Sequence, residues 1–148
     1  MKTMLCALLF GAVALPASAQ FRKAEDAIKY RKAAFTVMGN HFGRIGAMVN
    51  NRAPYDAKAA SENAAIVAAL ATLPFDAFDA GTEKGFDTRA KAALWAENDK
   101  FRAAAKKMQE ETAKLASVAK AGNPDTLKAA FGDAAKSCKN CHDSYREE

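Results

Sequence analysis

Apolar residues in the first half of the chain recur at Ile28, Phe35, Met38, Phe42, Ile45 and Val49, at steps of seven, three, four, three and four. Such steps stay on one face of an α-helix, so the pattern predicts a helix over residues 24–49. The turn-forming run Asn50-Asn51-Arg52-Ala53-Pro54 ends it. A second helix is predicted over residues 56–73. Asp56 suits its N-cap, Ile66, Val67, Leu70 and Leu73 mark its buried side, and Pro74 stops it. Residues 75–88 carry Gly81, Gly85 and no helical period, which reads as a loop with an aromatic cluster. Leu94, Phe101, Met108 and Leu115 then recur every seven residues. That is the repeat of bundle packing, and it predicts a third helix over residues 89–121. Gly122 ends it, and Asn123-Pro124 supplies an N-cap and a proline at the first helical position. The fourth helix carries Leu127, Phe131, Ala134, Cys138, Cys141 and Tyr145 on one face. Four long helices with short links predict an all-α, antiparallel up-down four-helix bundle; an irregular helical domain is the competing arrangement.

Composition agrees. The chain of 148 residues contains 36 Ala against eight Val and Ile together, which favours helix over strand. Half of it is apolar, enough to build a core. Charges of both signs alternate, and no basic run or aromatic–basic stripe suits nucleic acid.

The first nineteen residues have a separate logic. Lys2 precedes the apolar run of residues 5–15, and Ala17-Ser18-Ala19 follows. This is the three-part pattern of a secretory signal cleaved before Gln20. The run is short for a permanent membrane anchor, which is the alternative reading. Cys6 leaves with the signal, and the net charge falls from +5 to +4. The expectation is an exported, periplasmic protein of residues 20–148 with no stable membrane anchor.

Cys138-Lys139-Asn140-Cys141-His142 carries the chemistry. The pattern Cys-x-x-Cys-His marks covalent c-type haem attachment. Two thiols must add to two vinyl groups on one edge of a porphyrin, and three residues place both on one side of a helical turn. His142 stands four residues after Cys138, about 40° around the helix, where its imidazole can ligate the iron. Three other readings of the cysteines compete. A thioredoxin-like pair belongs near a βαβ pattern, and none is visible. Zinc wants four ligands, and after cleavage the chain offers two Cys and the distant pair His41 and His142. A disulfide across three residues closes too small a loop to stabilise much. One motif predicts one haem c, bound through Cys138 and Cys141.

With the motif in the last helix, the chain resembles the cytochrome c′ family, the four-helix-bundle class of c-type cytochromes. The resemblance rests on residues 25–31, Met38 with His41-Phe42-Gly43-Arg44, Ala53-Pro54-Tyr55-Asp56, Leu73-Pro74-Phe75, and Ala130-Phe131-Gly132 leading to Cys138-Lys139-Asn140-Cys141-His142-Asp143. It implies a five-coordinate iron with His142 as its ligand and Phe35 closing the opposite face. It also implies a haem propionate partner in Arg31, an arginine beside the ligand in Arg146, and a homodimer formed through the first two helices. Such proteins bind nitric oxide and carbon monoxide and largely exclude dioxygen.

Met38 lies one turn after Phe35, and methionine is a common sixth haem ligand. The alternative is therefore a low-spin, six-coordinate electron-transfer cytochrome with Met38 on the iron. His41 breaks the period of the first helix and should face solvent or a helix interface. Lys32 and Asp87 are further candidates near the propionates. No Ser/His/Asp set or paired carboxylates suggest an enzyme. The positive charge points to an acidic redox partner protein.

Overall fold

The computed structural model describes residues 20–148 apart from Gly85. The predicted signal at residues 1–19 lies outside the described residues. Helix α1, Ala24–Val49, opens with Glu25 and Asp26 in its first turn, where carboxylates favour the helix dipole. It closes at Asn50, whose amide side chain donates to the Gly46 carbonyl at 2.8 Å. Helix α2, Ala57–Leu70, is capped by Asp56, which accepts from the Ala59 N–H at 3.0 Å.

Three expectations need correction. Of the residues expected on the buried side of the second helix, Val67 is buried and Leu70 half-buried, but Ile66 and Leu73 are exposed, because Ala60, Asn63 and Ala64 turn the packed face of α2 away from them. The second helix ends at Leu70 rather than Leu73. Pro74 has no N–H to give the Leu70 carbonyl, and its ring would strike that carbonyl. Leu73–Ala77 forms a tighter 3₁₀ turn instead. The third helix does not run from residue 89. Residues 89–91 are extended, Ala93–Ala96 makes one turn (α3), and the chain breaks at Glu97 before α4, Asn98–Ala119. The seven-residue repeat nevertheless reports burial correctly, because Leu94, Phe101, Met108 and Leu115 are all buried across the break. Gly122 turns the chain at φ +70°, and α5, Pro124–Tyr145, starts on Asn123, which accepts from the Asp125 and Thr126 N–H groups.

The long helices α1, α2, α4 and α5 close a four-helix bundle: α1 packs on α2, α2 on α4, α4 on α5, and α5 back on α1. Alanines let them approach closely. Ala60 and Ala64 on α2 and Ala134 on α5 have no exposed surface. Gly46 serves the same end, since a Cβ there would stand 2.9 Å from the Phe131 ring. Phe131 stacks on Phe42 at 4.3 Å. Two core clusters result. One holds Ile45, Leu115, Leu127 and Ala134. The other holds Met38, Phe75, Phe78, Leu94, Phe101 and Tyr145 and surrounds a cavity. Among the described residues, no helix is long and apolar enough to cross a membrane.

Candidate cofactor site

The cavity has a volume of about 530 Å³, within the usual range for a small-molecule site. One wall is α5, which presents Cys138, Cys141 and His142, with Arg146 just past its end. Another is α1, with Arg31, Phe35 and Met38. Asp87 stands outside the cavity, whereas Lys32 and all seven residues expected to hold the haem line it. His41 does not. Its Nδ1 lies 2.7 Å from Asn63 Oδ1, tying α1 to α2.

Both cysteines are free thiols, half-buried on the cavity wall. Burial pushes the Cys141 thiol up to about 11, and Cys138 beside it adds to the rise. Burial also raises Cys138. A dithiol redox centre needs the opposite, a lowered pKa, so the environment argues against thioredoxin-like chemistry. Burial holds the His142 imidazole below its ordinary range, and Arg146 pushes the same way against Asp143. A neutral imidazole is the form that offers a nitrogen to a metal.

Arg31 is 2% exposed. Its Nη1 donates to the Ala77 carbonyl at 3.0 Å and Thr82 Oγ1 at 2.9 Å. Its Nη2 donates to the Thr82 carbonyl at 3.1 Å and Thr88 Oγ1 at 2.8 Å. The guanidinium also lies over the Phe78 ring, 4.2 Å from its centre. Burial pushes it down to about 10, so it stays charged at neutral pH. Among the described residues no carboxylate forms an ion pair with it. The sequence resemblance implied a propionate partner; here the four terminal N–H groups clamp the 77–88 loop, and only Nε–H is left. Lys32 secures the same loop through Asp87. The periodicity gave no hint of Thr82 and Thr88, because the loop has no repeat to read.

Phe35 meets Phe75 edge to face at 5.8 Å and Phe78 at 6.4 Å. The donor set suits haem c: two thiols and one imidazole on one wall, an aromatic wall, and a buried cation without an anion of its own. Comparison with known proteins decides the family. A family model described as Cytochrome C' matches residues 26–146.

This chain belongs to the cytochrome c′ family.

Members of the family carry covalent haem c, and the cysteine pair for it stands here. Cytochrome c′ of Rubrivivax gelatinosus is 47% identical over 129 residues, covering 87% of this chain and all of the relative. Cytochrome c′ of Alcaligenes xylosoxydans xylosoxydans is 43% identical, covering 87% and 99%. The crystal structure of the Rubrivivax gelatinosus protein has a TM-score of 0.84 at 48% identity, covering 86% of this chain and 100% of that one. A nitric oxide complex of a variant of cytochrome c′ from Alcaligenes xylosoxidans has a TM-score of 0.80 at 43% identity, covering 87% and 99%.

Proposed function

We propose that this is an exported cytochrome c′ whose iron takes His142 as its one protein ligand, binds nitric oxide or carbon monoxide, and exchanges single electrons. The observation that carries the reading is the lining of the cavity. Both thiols and one imidazole stand on α5, and the facing aromatic wall offers no nitrogen ligand. Haem c bound there would supply an iron able to take a gas and a one-electron couple. Cys138 and Cys141 are placed to hold it by thioether links, and His142 to ligate it. Phe35, backed by Phe75 and Phe78, makes the opposite face apolar and tight. An apolar face leaves the partial charge of bound dioxygen unstabilised, so the less polar gases are favoured. Arg31, with its Nη groups on the 77–88 loop, would give the cofactor's carboxylates a buried positive charge and its Nε–H, and Arg146 stands near His142.

Met38 lines the same cavity, so the six-coordinate reading has a ligand in place. Optical spectra of the purified holoprotein separate the two. High-spin ferric bands, with a large shift of the ferrous bands under carbon monoxide, are the expected result. Sharp low-spin bands that carbon monoxide leaves unmoved would defeat the gas-binding reading, and Met38→Ala would then convert the spectrum. Phe35→Ala should speed carbon monoxide association. Dioxygen affinity equal to that for nitric oxide would defeat the apolar-face argument.

Export rests on the leader-like residues 1–19, and the 129 residues that follow match the length of the Rubrivivax gelatinosus alignment. N-terminal sequencing of the periplasmic protein should begin at Gln20. A homodimer through α1 and α2 is supported by exposed Val37 on α1 and Ile66 on α2, 46% and 37% accessible. Light scattering should give twice the chain mass. The charge of the protein favours an acidic redox partner.

A further inference from the structure

Helix α5 ends at Tyr145, so His142 sits in its last turn. The last four carbonyls of a helix have no partner within it, and unsupported ends open most readily. Here that turn is closed from outside. His142 O accepts from the Arg146 N–H at 3.0 Å. Tyr145 O accepts from the backbone N–H of Lys91 at 2.9 Å, and Asp143 O from the ammonium of the same residue at 3.0 Å. Lys91 thus satisfies two orphan carbonyls from another segment and sets a cation at the negative end of the helix dipole. It does so without pairing with the Asp143 carboxylate, which Lys139 holds at 2.6 Å. Ahead of Lys91 the pairing continues. Ala90 bridges Arg146 antiparallel, and the Glu147 N–H donates to Arg89 O at 2.7 Å. The strap is itself anchored, because the Ala90 N–H donates to Thr88 Oγ1, which also accepts from buried Arg31.

We propose that Lys91 is a positioning residue for His142: it caps the last turn of α5 from outside and fixes the angle at which the imidazole enters the cavity. This rests on the reading of His142 as the axial ligand. A plain surface staple would add stability alone; a positioning residue also changes the bond between iron and imidazole.

The test uses the holoprotein, as Lys91→Ala and Lys91→Arg. Amide hydrogen exchange over residues 142–147 reports the cap, and the iron–imidazole stretching band of the ferrous protein reports the ligand. Lys91→Ala should speed exchange there about two- to fivefold, as loss of one exposed hydrogen bond from a charged donor implies. It should also shift and broaden the band, and Lys91→Arg should restore both. Unchanged exchange and an unchanged band would overturn the proposal. Faster exchange with an unmoved band would overturn it too, leaving a cap that stabilises without positioning. A wild-type protein that lacks the band would fail the axial-ligand reading, and the positioning role with it. That failure is recognisable because it precedes any substitution.

Discussion

Replacing Arg31 by Met keeps most of the side-chain length and removes the charge and the four hydrogen bonds. Two acceptors retain a partner: Thr82 Oγ1 still donates to Asp79 O at 2.8 Å, and Thr88 Oγ1 still accepts from the Ala90 N–H at 3.3 Å. The carbonyls of Ala77 and Thr82 lose the bonds that Arg31 gave them. Each buried carbonyl left unpaired costs about 1–3 kcal/mol. Against this, the variant no longer buries a cation, a cost visible in the drop of the guanidinium from its ordinary range to about 10. That relief pulls the total towards the lower end, a net loss of about 3 kcal/mol. For a bundle of this size it corresponds to about 10 °C in Tm. Guanidinium chloride unfolding of the holoprotein, followed by circular dichroism, measures it. Lys29→Met is the control, because Lys29 lies on the exposed side of the same helix, where it pairs with Glu25. A loss at Arg31 of under about 1 kcal/mol, the value of an ordinary surface pair, would refute the argument that Arg31 clamps the 77–88 loop.

Gly46→Ala sets two effects against each other. Alanine improves helix propensity by about 1 kcal/mol, but its Cβ would stand 2.9 Å from a Phe131 ring already stacked on Phe42. Overpacking costs about 1–3 kcal/mol, so the denaturation midpoint should fall; a rise would show that Phe131 moves freely. Phe101→Ala empties a position packed against the Phe75, Phe78 and Tyr145 rings, and should lose about 3–5 kcal/mol by the same assay. Asn123→Ala removes the side chain that holds the Asp125 and Thr126 N–H groups, and should lose about 1 kcal/mol.

The sequence was most legible where burial follows a local period. The bounds of α1 and the start of α5 came from local signals of this kind, the capping and turn residues beside a periodic run, as did the buried face of α4. The early end of α2 was legible in principle, since Pro74 acts on the carbonyl four residues before it. The break ahead of α4 was not. Residues 89–91 are extended because they pair with residues 145–147, and no local pattern records a partner more than fifty positions away. The attachment motif was readable because its chemistry lies within five residues. Arg31 was found through resemblance, but its surroundings were not foreseen. Its acceptors are Ala77 and Thr82 in an aperiodic loop and Thr88 at its end, and a buried arginine on an amphipathic helix looks like a surface one in sequence.

The two core clusters give the bundle a solid end and a hollow end. Side chains of the solid end, Ile45, Leu115, Leu127 and Ala134, pack on one another. None of them borders the cavity. Phe42 packs on both clusters. The two ends therefore depend on the cofactor unequally. Contacts of the solid end are made by the chain's own side chains, whereas Met38, Phe75, Leu94, Phe101 and Tyr145 at the other end face a space that the chain itself leaves unfilled. Cys138 and Cys141 stand at that second end, so the covalent links fall where the chain's own packing is least complete.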